Sequence, residues 1–330
     1  GLNNPADGSE TAVLKLADGY EIVEPTDGQY GQGQYGKLVR NAEGQWEYRL
    51  DKAYGHAPDH NSASTAEGAD SITIQVKGPN GQIQDVTVKV DIVDDVPTVT
   101  VSDTLDTDVV AGHDSTDGGK LDVDFGADSG EGKQLTVSVG ENAVDITDIA
   151  SKGSYEIAGQ YGTLSLYADG TYTYHANPNT RPGQDSFSVS IRDADGDTAQ
   201  TRIDVNVVSA TGPEGSQIAH LTVNEAGLTD VANTSEAAMI TAPDGYTIVS
   251  VDPQGEHSPG TVSQDSEGNW HYTLNTAIDS GKSPGTNTVE GADTVGMTVQ
   301  DAFGNQFKIN VTVDIVDDVP TVTVSDTLDT

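Results

Sequence analysis

The sequence predicts an all-β protein built from tandem antiparallel β-sandwich domains in an extended rod. Three features lead to this prediction: related blocks recur along the chain, apolar and polar residues alternate within the blocks, and Asp-Gly or Glu-Gly pairs separate the alternating runs. A chain of 330 residues is long enough for two or three domains of ordinary size.

Two kinds of block recur. The first kind begins with a Gly, passes through an Asp-Gly or Glu-Gly turn and ends with aromatic residues at alternate positions. The second kind consists of two strand-like runs joined by a loop, and it has the same length in all three copies. The blocks occupy residues 36–48, 162–174 and 260–272, and residues 70–90, 185–205 and 293–313. Residues 90–107 and 313–330 both read VDIVDDVPTVTVSDTLDT, an identity that tandem duplication explains.

These repeats predict a domain order of type 1, type 2, type 1 and the start of another type 2. Gly1 and Leu2 align with Gly227 and Leu228, so the first domain shows no counterpart of the strand at 221–226. Because the chain ends within a repeat, we expect it to be part of a longer protein. The predicted domains are residues 1–95, 96–210 and 211–318, followed by a first strand at 319–330.

Alternation with a period of two residues predicts strands within each domain. DSFSVSIR (185–192) and VTVKVDIV (86–93) alternate apolar with polar residues and are rich in Val, Ile and Thr. Asp-Gly pairs between such runs are typical of hairpin turns, and no helical period is convincing. About 105–115 residues of short alternating strands indicate an antiparallel Ig-like sandwich, with Trp46, Tyr172 and Trp270 as core anchors.

The charge balance limits the partners. The formal net charge is −38, from 53 acidic against 15 basic side chains, so nucleic acid and anionic membranes would be repelled. A compact chain this acidic also repels itself, which indicates bound cations or a salty medium. There is no cysteine, so neither a disulfide nor a thiolate metal site is possible. No apolar run approaches 18 residues, and we expect no membrane insertion.

Three acidic elements are predicted to converge where the first domain meets the second. Strand direction places the loop DADGD at the end of the second domain that adjoins the linker DIVDD, and the segment EGAD at the facing end of the first domain. The carboxylates concerned are Glu67, Asp91, Asp94, Asp95, Asp193, Asp195 and Asp197.

The next junction serves as an internal comparison. Its linker reads SATGP (209–213), the loop corresponding to DADGD reads DAFGN (301–305), and Pro182 replaces the Glu of EGAD. All three elements therefore lose carboxylates together. At the last linker the acidic residues return, and the predicted metal ligands there are Glu290, Asp314, Asp317 and Asp318.

Calcium is the predicted counter-ion for these groups. Carboxylates packed together raise each other's pKa or push the domains apart unless a cation neutralises them. Calcium accepts six to eight oxygen ligands in irregular geometry, whereas magnesium retains water and zinc prefers His or Cys. The acidic segments also fit solvated strand ends, and HAPDH (56–60) fits a solvated turn. The acid-rich stretch 103–128 fits either a further ion within the second domain or solvated loops.

The same residues carry a family resemblance. GQYGTLSLYADGTYTYHAN (159–177) followed by DSFSVSIRDADGDTAQTRIDVNV (185–207) resembles the VCBS/cadherin-like repeats of giant RTX adhesins, which bacteria export by type I secretion. IVDDVPT (92–98) is similar to the linkers between their extender domains. The resemblance implies a string of Ig-like domains on a bacterial surface, calcium at the junctions and a distal binding domain. SATGP departs from this pattern.

The expected function is therefore that of a calcium-stabilised extender, outside the cell, that projects a distal binding domain. Its partners would be neighbouring repeats of the same chain, with no small-molecule substrate. An alternative is calcium-dependent sugar binding, for which Tyr20, Tyr30, Tyr35 and Tyr54 are the candidate aromatics. An enzyme acting on polysaccharide is a further alternative, although no nucleophile motif, P-loop or HExxH is present.

Overall fold

The protein is almost entirely β-structure. A computed structural model describes residues 8, 10–25, 31–55, 64–105, 108–214, 220–229, 233–279 and 287–318. It is 54% strand and 3% helix, which confirms the predicted all-β class. The helices are α1 (Ile149–Lys152) and α2 (Ala226–Thr229), and no helix among the described residues is long and apolar enough to cross a membrane.

The chain separates into two compact units. The first comprises Gly1–Val109, Asp114–Ala176 and Pro182–Val207, and the second comprises Val110–His113, Asn177–Arg181 and Val208–Thr330. The boundaries predicted at 95/96 and 210/211 remain a prediction, and the predicted strand at 319–330 lies outside the described residues.

The first sandwich is formed by two three-stranded sheets. Their orders are β1-β4-β3 and β2-β5-β6. The strands are β1 (Thr11–Val13), β2 (Glu21–Ile22), β3 (Gly36–Arg40), β4 (Trp46–Leu50), β5 (Thr65–Lys77) and β6 (Ile83–Val93). Alternate apolar residues of the two sheets meet in one core, which includes Leu38, Tyr48 and Ile72.

The second sandwich is the largest. Its sheets are five-stranded, with orders β11-β10-β15-β16-β8 and β12-β13-β14-β9-β7. The strands are β7 (Thr98–Asp103), β8 (Val109–Val110), β9 (Gly119–Asp124), β10 (Gln134–Val139), β11 (Asn142–Asp145), β12 (Ser154–Ala158), β13 (Gly162–Tyr167), β14 (Thr171–Ala176), β15 (Gly183–Arg192) and β16 (Thr198–Val208). Phe187 and Tyr172 lie in its core, the latter as predicted.

The third sandwich has sheets of order β17-β23-β22-β19 and β18-β21-β20. The strands are β17 (His220–Asn224), β18 (Ala237–Ile240), β19 (Thr247–Val251), β20 (Gly260–Gln264), β21 (Trp270–Leu274), β22 (Thr288–Gln300) and β23 (Gln306–Val316). One pair departs from the antiparallel pattern, because β17 runs parallel to β23. Because the first strand, β17, and the last strand, β23, run parallel, the chain enters the third sandwich at one end and leaves it at the other.

A buried carboxylate joins two sequence-distant parts of the second sandwich. Asp185, 2% exposed, accepts hydrogen bonds from the backbone N–H groups of Gln160, Tyr161 and Gly162 at 2.7, 3.0 and 3.1 Å. The Tyr174 hydroxyl donates to the same carboxylate at 2.5 Å. Four donors therefore compensate the charge, so this Asp is satisfied by the protein itself.

The first sandwich repeats this arrangement with the same GQYG turn. Asp70 accepts from the Gln34, Tyr35 and Gly36 N–H groups at 2.9, 2.9 and 3.2 Å, and from the Tyr48 hydroxyl at 2.6 Å. Burial raises the pKa of Asp70, but the hydrogen bonds outweigh it and lower the pKa overall. In the third sandwich, Asp293 accepts from Tyr272 at 2.8 Å and from Ser258.

The glycine that opens each aromatic block follows from the same contact. A Cβ on Gly162 would lie 2.5 Å from Cζ of Tyr174, and one on Gly260 would lie 2.3 Å from Cζ of Tyr272. The tyrosine ring thus lies directly against the glycine backbone, where no larger residue fits.

We expect Tyr174→Phe to destabilise the protein by about 1–3 kcal/mol, because a hydrogen bond to a buried carboxylate is lost while the ring remains. Urea unfolding followed by circular dichroism measures the change. Tyr167→Phe, at a tyrosine that is 40% exposed, is the control. Equal effects of the two substitutions would show that the Tyr174 hydroxyl contributes no specific stabilisation.

Candidate metal centre

Asp193, Asp195 and Asp197 form the first carboxylate cluster. One oxygen of each lies within 4.8 Å of the others, and Asp193 and Asp197 are buried. The loop is folded by Asp193, whose Oδ1 accepts from the N–H groups of Gly196 and Asp197 at 2.9 and 2.8 Å. Burial, followed by a hydrogen bond with Asp195, raises the pKa of Asp193 to about 7. The three charges are therefore costly to hold together without a cation.

Asp94 and Asp95 form the second cluster together with Asp128, again with oxygens within 4.8 Å of one another. Asp94 follows β6 directly and is 5% exposed. Asp95 accepts a hydrogen bond from Ala127 N–H at 2.6 Å, which ties the linker to the loop after β9. Linker and loop thus present their carboxylates to one point.

A backbone contact connects the two clusters. The N–H of Ala194, inside the 193–197 loop, donates to the carbonyl of Asp128 at 2.9 Å. The structure thus brings together five of the seven predicted carboxylates of this region, in two adjacent clusters. It adds Asp128, which the sequence placed only within the acid-rich stretch 103–128.

Glu225, Asp317 and Asp318 form the third cluster. Glu225 is 3% exposed, and its Oε1 accepts from Ile278 N–H at 2.5 Å. Burial and the neighbouring charges of Asp317 and Asp318 raise the pKa of Glu225. The predicted ligands include the two aspartates but not Glu225, which lies in the segment LTVNEA (221–226), for which the first domain shows no counterpart.

Asp91 and Asp314 are not members of these clusters; each accepts a hydrogen bond from a glycine of the neighbouring strand. Asp91 Oδ1 accepts from Gly68 N–H at 2.6 Å, and Asp314 Oδ1 accepts from Gly291 N–H at 2.7 Å. Each Asp holds a bulge in the neighbouring strand, at a glycine with φ of 62° or 60°. Both aspartates thus have a backbone partner already.

The remaining predicted ligands are exposed. Glu67 and Glu290 lie in these bulges with solvent-facing side chains. Within the described part of the chain, none of the three clusters contains Glu67, Asp91, Glu290 or Asp314. Their role as metal ligands remains a prediction.

The donor chemistry of the clusters fits calcium. Every ligand atom is a carboxylate oxygen, and each cluster combines one or two buried carboxylates with at least one more accessible one. Such a set suits a hard cation that accepts several oxygens in irregular geometry. Zinc would require His or Cys, and the histidines of HAPDH lie outside the described residues.

The loop at 301–305 shows how the same turn is built with fewer carboxylates. Asp301 accepts from the N–H groups of Phe303 and Asn305 at 2.9 Å. Asp193 likewise accepts from the residue four positions on, Asp197, but its second donor is Gly196. The Asn305 side chain, 1% exposed, then donates to Asp301 Oδ2 at 3.0 Å and to the Ala111 carbonyl at 2.8 Å. An amide thus stands where the first loop has Asp197.

Further contacts complete this loop within the second unit. Asn305 Oδ1 accepts from Asn179 N–H at 2.9 Å, and Asn179 Oδ1 accepts from Gln306 N–H at 2.5 Å. Phe303, at the position of Asp195, stacks on His113 with ring centroids 3.6 Å apart. Amide hydrogen bonds and an aromatic contact therefore stand where the other loop has its carboxylate cluster.

One family model matches part of the chain. Residues 92–206 match the bacterial Ig domain family Big_9, which is an Ig domain family rather than a catalytic one. The matched range contains all but the last two residues of the second sandwich, together with the clusters of Asp94 and of Asp193. No curated protein matches the chain significantly.

Solved structures with cadherin domains are also similar. Zebrafish RET cadherin-like domains 1 to 4 match at a TM-score of 0.27 and 11% identity, over 91% of this chain and 66% of that one. The human desmocollin-1 ectodomain matches at 0.22 and 13%, over 93% and 52%. The chain thus spans between half and two thirds of these structures. TM-scores this low do not establish a common fold.

We expect Asn305→Asp to destabilise the second unit by about 1–3 kcal/mol, because a carboxylate would face the Ala111 carbonyl and the Asp301 carboxylate. The chain has two tryptophans, so in a Trp46→Phe background the fluorescence of Trp270 reports urea unfolding of the second unit alone.

Asn275→Asp is the matched control, since Asn275 donates to Thr261 at an exposed position. If both substitutions lower stability equally, the Asn305 amide has no special role in this loop.

Proposed function

We propose that this chain is a calcium-stabilised spacer segment of a large bacterial surface adhesin, which projects a distal binding domain from the cell. The observation that carries the proposal is the pair of adjacent clusters at Asp94, Asp95 and Asp128 and at Asp193, Asp195 and Asp197. A cation held there would join the linker after β6 to the loop between β15 and β16.

The contrast between equivalent loops supports a metal role over simple solvation. Solvated acidic turns have no reason to lose carboxylates in step. Here the loop 301–305 exchanges two carboxylates for Phe303 and Asn305, and the linker 209–213 has none. The Asn305 amide takes over the bonding of that loop. The loop 193–197 thus keeps three carboxylates, which lie close together, whereas the loop 301–305 keeps one and is held by amide hydrogen bonds.

The family match and the charge support the adhesin context. A bacterial Ig domain at 92–206 and a repeated β-sandwich architecture are typical of extracellular adhesion or spacer segments. A net charge of −38 is tolerable in a compact chain that binds cations. The proposal also includes export by type I secretion and membership of the RTX adhesins, and these two points rest on the sequence resemblance alone.

A sugar-binding role is the second candidate. Tyr35 and Tyr54 form an edge-to-face pair with centroids 4.9 Å apart, and a Cβ on the adjoining Gly55 would lie 3.9 Å from Cβ of Asp195. Aromatic rings beside a calcium-binding carboxylate would suit a carbohydrate. Tyr30 lies outside the described residues. Specific binding on a glycan array, lost with chelator, would favour this role over the spacer.

We expect millimolar calcium to raise the melting temperature, because a ligand that binds only the folded state stabilises it by about 2.7 kcal/mol at a hundred times its Kd. Differential scanning calorimetry with calcium or with chelator measures the shift. Asp195→Asn should lose a large part of it, whereas Asp117→Asn, the same charge change at an exposed site, should not.

Magnesium at the same concentration should give a smaller shift, since it gives up its water reluctantly. A melting temperature that is indifferent to chelator, or equal losses in both variants, would contradict the proposal.

A further inference from the structure

We propose that the outer face of the β3–β4 hairpin in the first sandwich binds a glycan that carries an isolated carboxylate, as a glucuronic acid residue in an otherwise neutral chain does. The site is built on the cross-strand pair of Lys37 and Arg49 and the polar groups around it. It contains none of the clustered carboxylates, so the inference stands apart from calcium and from the proposed spacer role.

Two basic side chains lie directly opposite each other on this hairpin. Lys37 of β3 is the cross-strand partner of Arg49 of β4. Both alternate with residues of the core, Leu38 and Tyr48, and therefore point away from it. Like charges placed directly opposite each other destabilise a sheet. The pair is also unexpected in a chain with 15 basic and 53 acidic side chains.

The other two repeats show that the fold does not need this pair. At the same places, the second sandwich pairs Thr163 with His175. The third sandwich pairs Thr261 with Thr273. Since the same scaffold accepts threonine and the two basic charges repel each other, their presence in the first sandwich indicates a role in recognition rather than in stability.

Only part of the basic charge on this face is neutralised. Lys37 Nζ lies 3.1 Å from Asp51 Oδ2, and Arg40 pairs with Glu24 at 3.2 Å. The exposed guanidinium of Arg49 makes no ion pair or hydrogen bond with any residue that the structure describes. Its planar fork of donors is therefore available to a ligand, and its geometry matches a carboxylate.

The groups around Arg49 suit a sugar better than a simple anion. The face forms a depression of about 550 Å³, within the range of small-molecule sites. Its lining includes the carboxylates of Glu47 and Asp51, the first of which accepts from Asn41 Nδ2 at 3.3 Å. Each carboxylate retains lone pairs for hydroxyl donors, and Val39 offers an apolar contact to a ring. A sulfate has no donor for these acceptors, whereas a sugar has several hydroxyl groups.

The net charge of the chain restricts the ligand further. At −38, the chain repels a polymer that carries a charge on every unit. Salt screens charges beyond about 8–10 Å at physiological ionic strength, so Lys37 and Arg49 act mainly on a group in direct contact. One carboxylate within an otherwise neutral glycan satisfies both conditions.

The test uses the full chain in calcium and a disaccharide of glucuronic acid and galactose. Titration followed by nuclear magnetic resonance should show binding, with chemical-shift changes centred on residues 37–51. A disaccharide with glucose in place of glucuronic acid should bind about tenfold more weakly or worse, because the charge-assisted hydrogen bonds to Arg49 are lost.

A double variant with Lys37→Thr and Arg49→Thr should bind the glucuronic acid disaccharide about tenfold more weakly or worse, for the same reason. It carries the residues that the third sandwich has at these places, so we expect it to fold, which circular dichroism checks. The matched control combines Lys77→Thr with Lys89→Thr, the same charge change at exposed positions on the other sheet of this sandwich. The control should bind as the unmodified chain does.

Equal affinity of the unmodified chain and the Lys37→Thr, Arg49→Thr variant, equal losses in both double variants, or no binding at millimolar disaccharide would overturn the proposal. Inorganic sulfate that binds as tightly as the disaccharide would overturn the assignment to a sugar. Shift changes centred on Tyr54 would place the sugar at the Tyr35–Tyr54 pair and overturn the proposed site. None of these outcomes alters the calcium-dependent melting temperature by which the spacer role is tested.

Discussion

A carboxylate buried in a chain of net charge −38 must be compensated, and the structure depends on how this is done. Asp185 is compensated by donors of the protein itself: three N–H groups of one turn and the hydroxyl of Tyr174. The loop of Asp193, Asp195 and Asp197 instead gathers acceptors around one point. The first arrangement stabilises a sandwich by itself, whereas the second places like charges together, which disfavours the folded state unless those charges are neutralised.

The loops 193–197 and 301–305 occupy equivalent places in two repeats, so the fold alone does not determine whether such a loop gathers carboxylates. The turn at 193–197 and the turn at 301–305 share an Asp that accepts two backbone N–H groups. They differ in whether the residue four positions later is Asp197 or Asn305. An amide can both donate and accept, which allows Asn305 to bond Asp301 and Ala111 together. An ionised carboxylate can only accept, so Asp197 cannot bridge two acceptors as Asn305 does.

Local patterns in the sequence were enough to predict the fold class and the proximity of several of the clustered carboxylates. Alternation fixed the strands, and the repeated blocks predicted Asp94, Asp95, Asp193, Asp195 and Asp197 as neighbours of one region. Asp128 and Glu225 join clusters through residues far away in the sequence, and no local pattern distinguishes them from other acidic residues. Asp91 resembles Asp94 in sequence, but its alternation along β6 turns it toward the Gly68 bulge. The parallel pairing of β17 likewise depends on a contact across the whole repeat.

The most direct test of this account is anomalous diffraction from crystals of the full chain grown in calcium. The account predicts calcium between the clusters of Asp94, Asp95 and Asp128 and of Asp193, Asp195 and Asp197, and none at residues 301–305. Calcium absent from the first region, or bound with equal occupancy at both, would contradict the claim that carboxylates are retained in these loops to hold a metal.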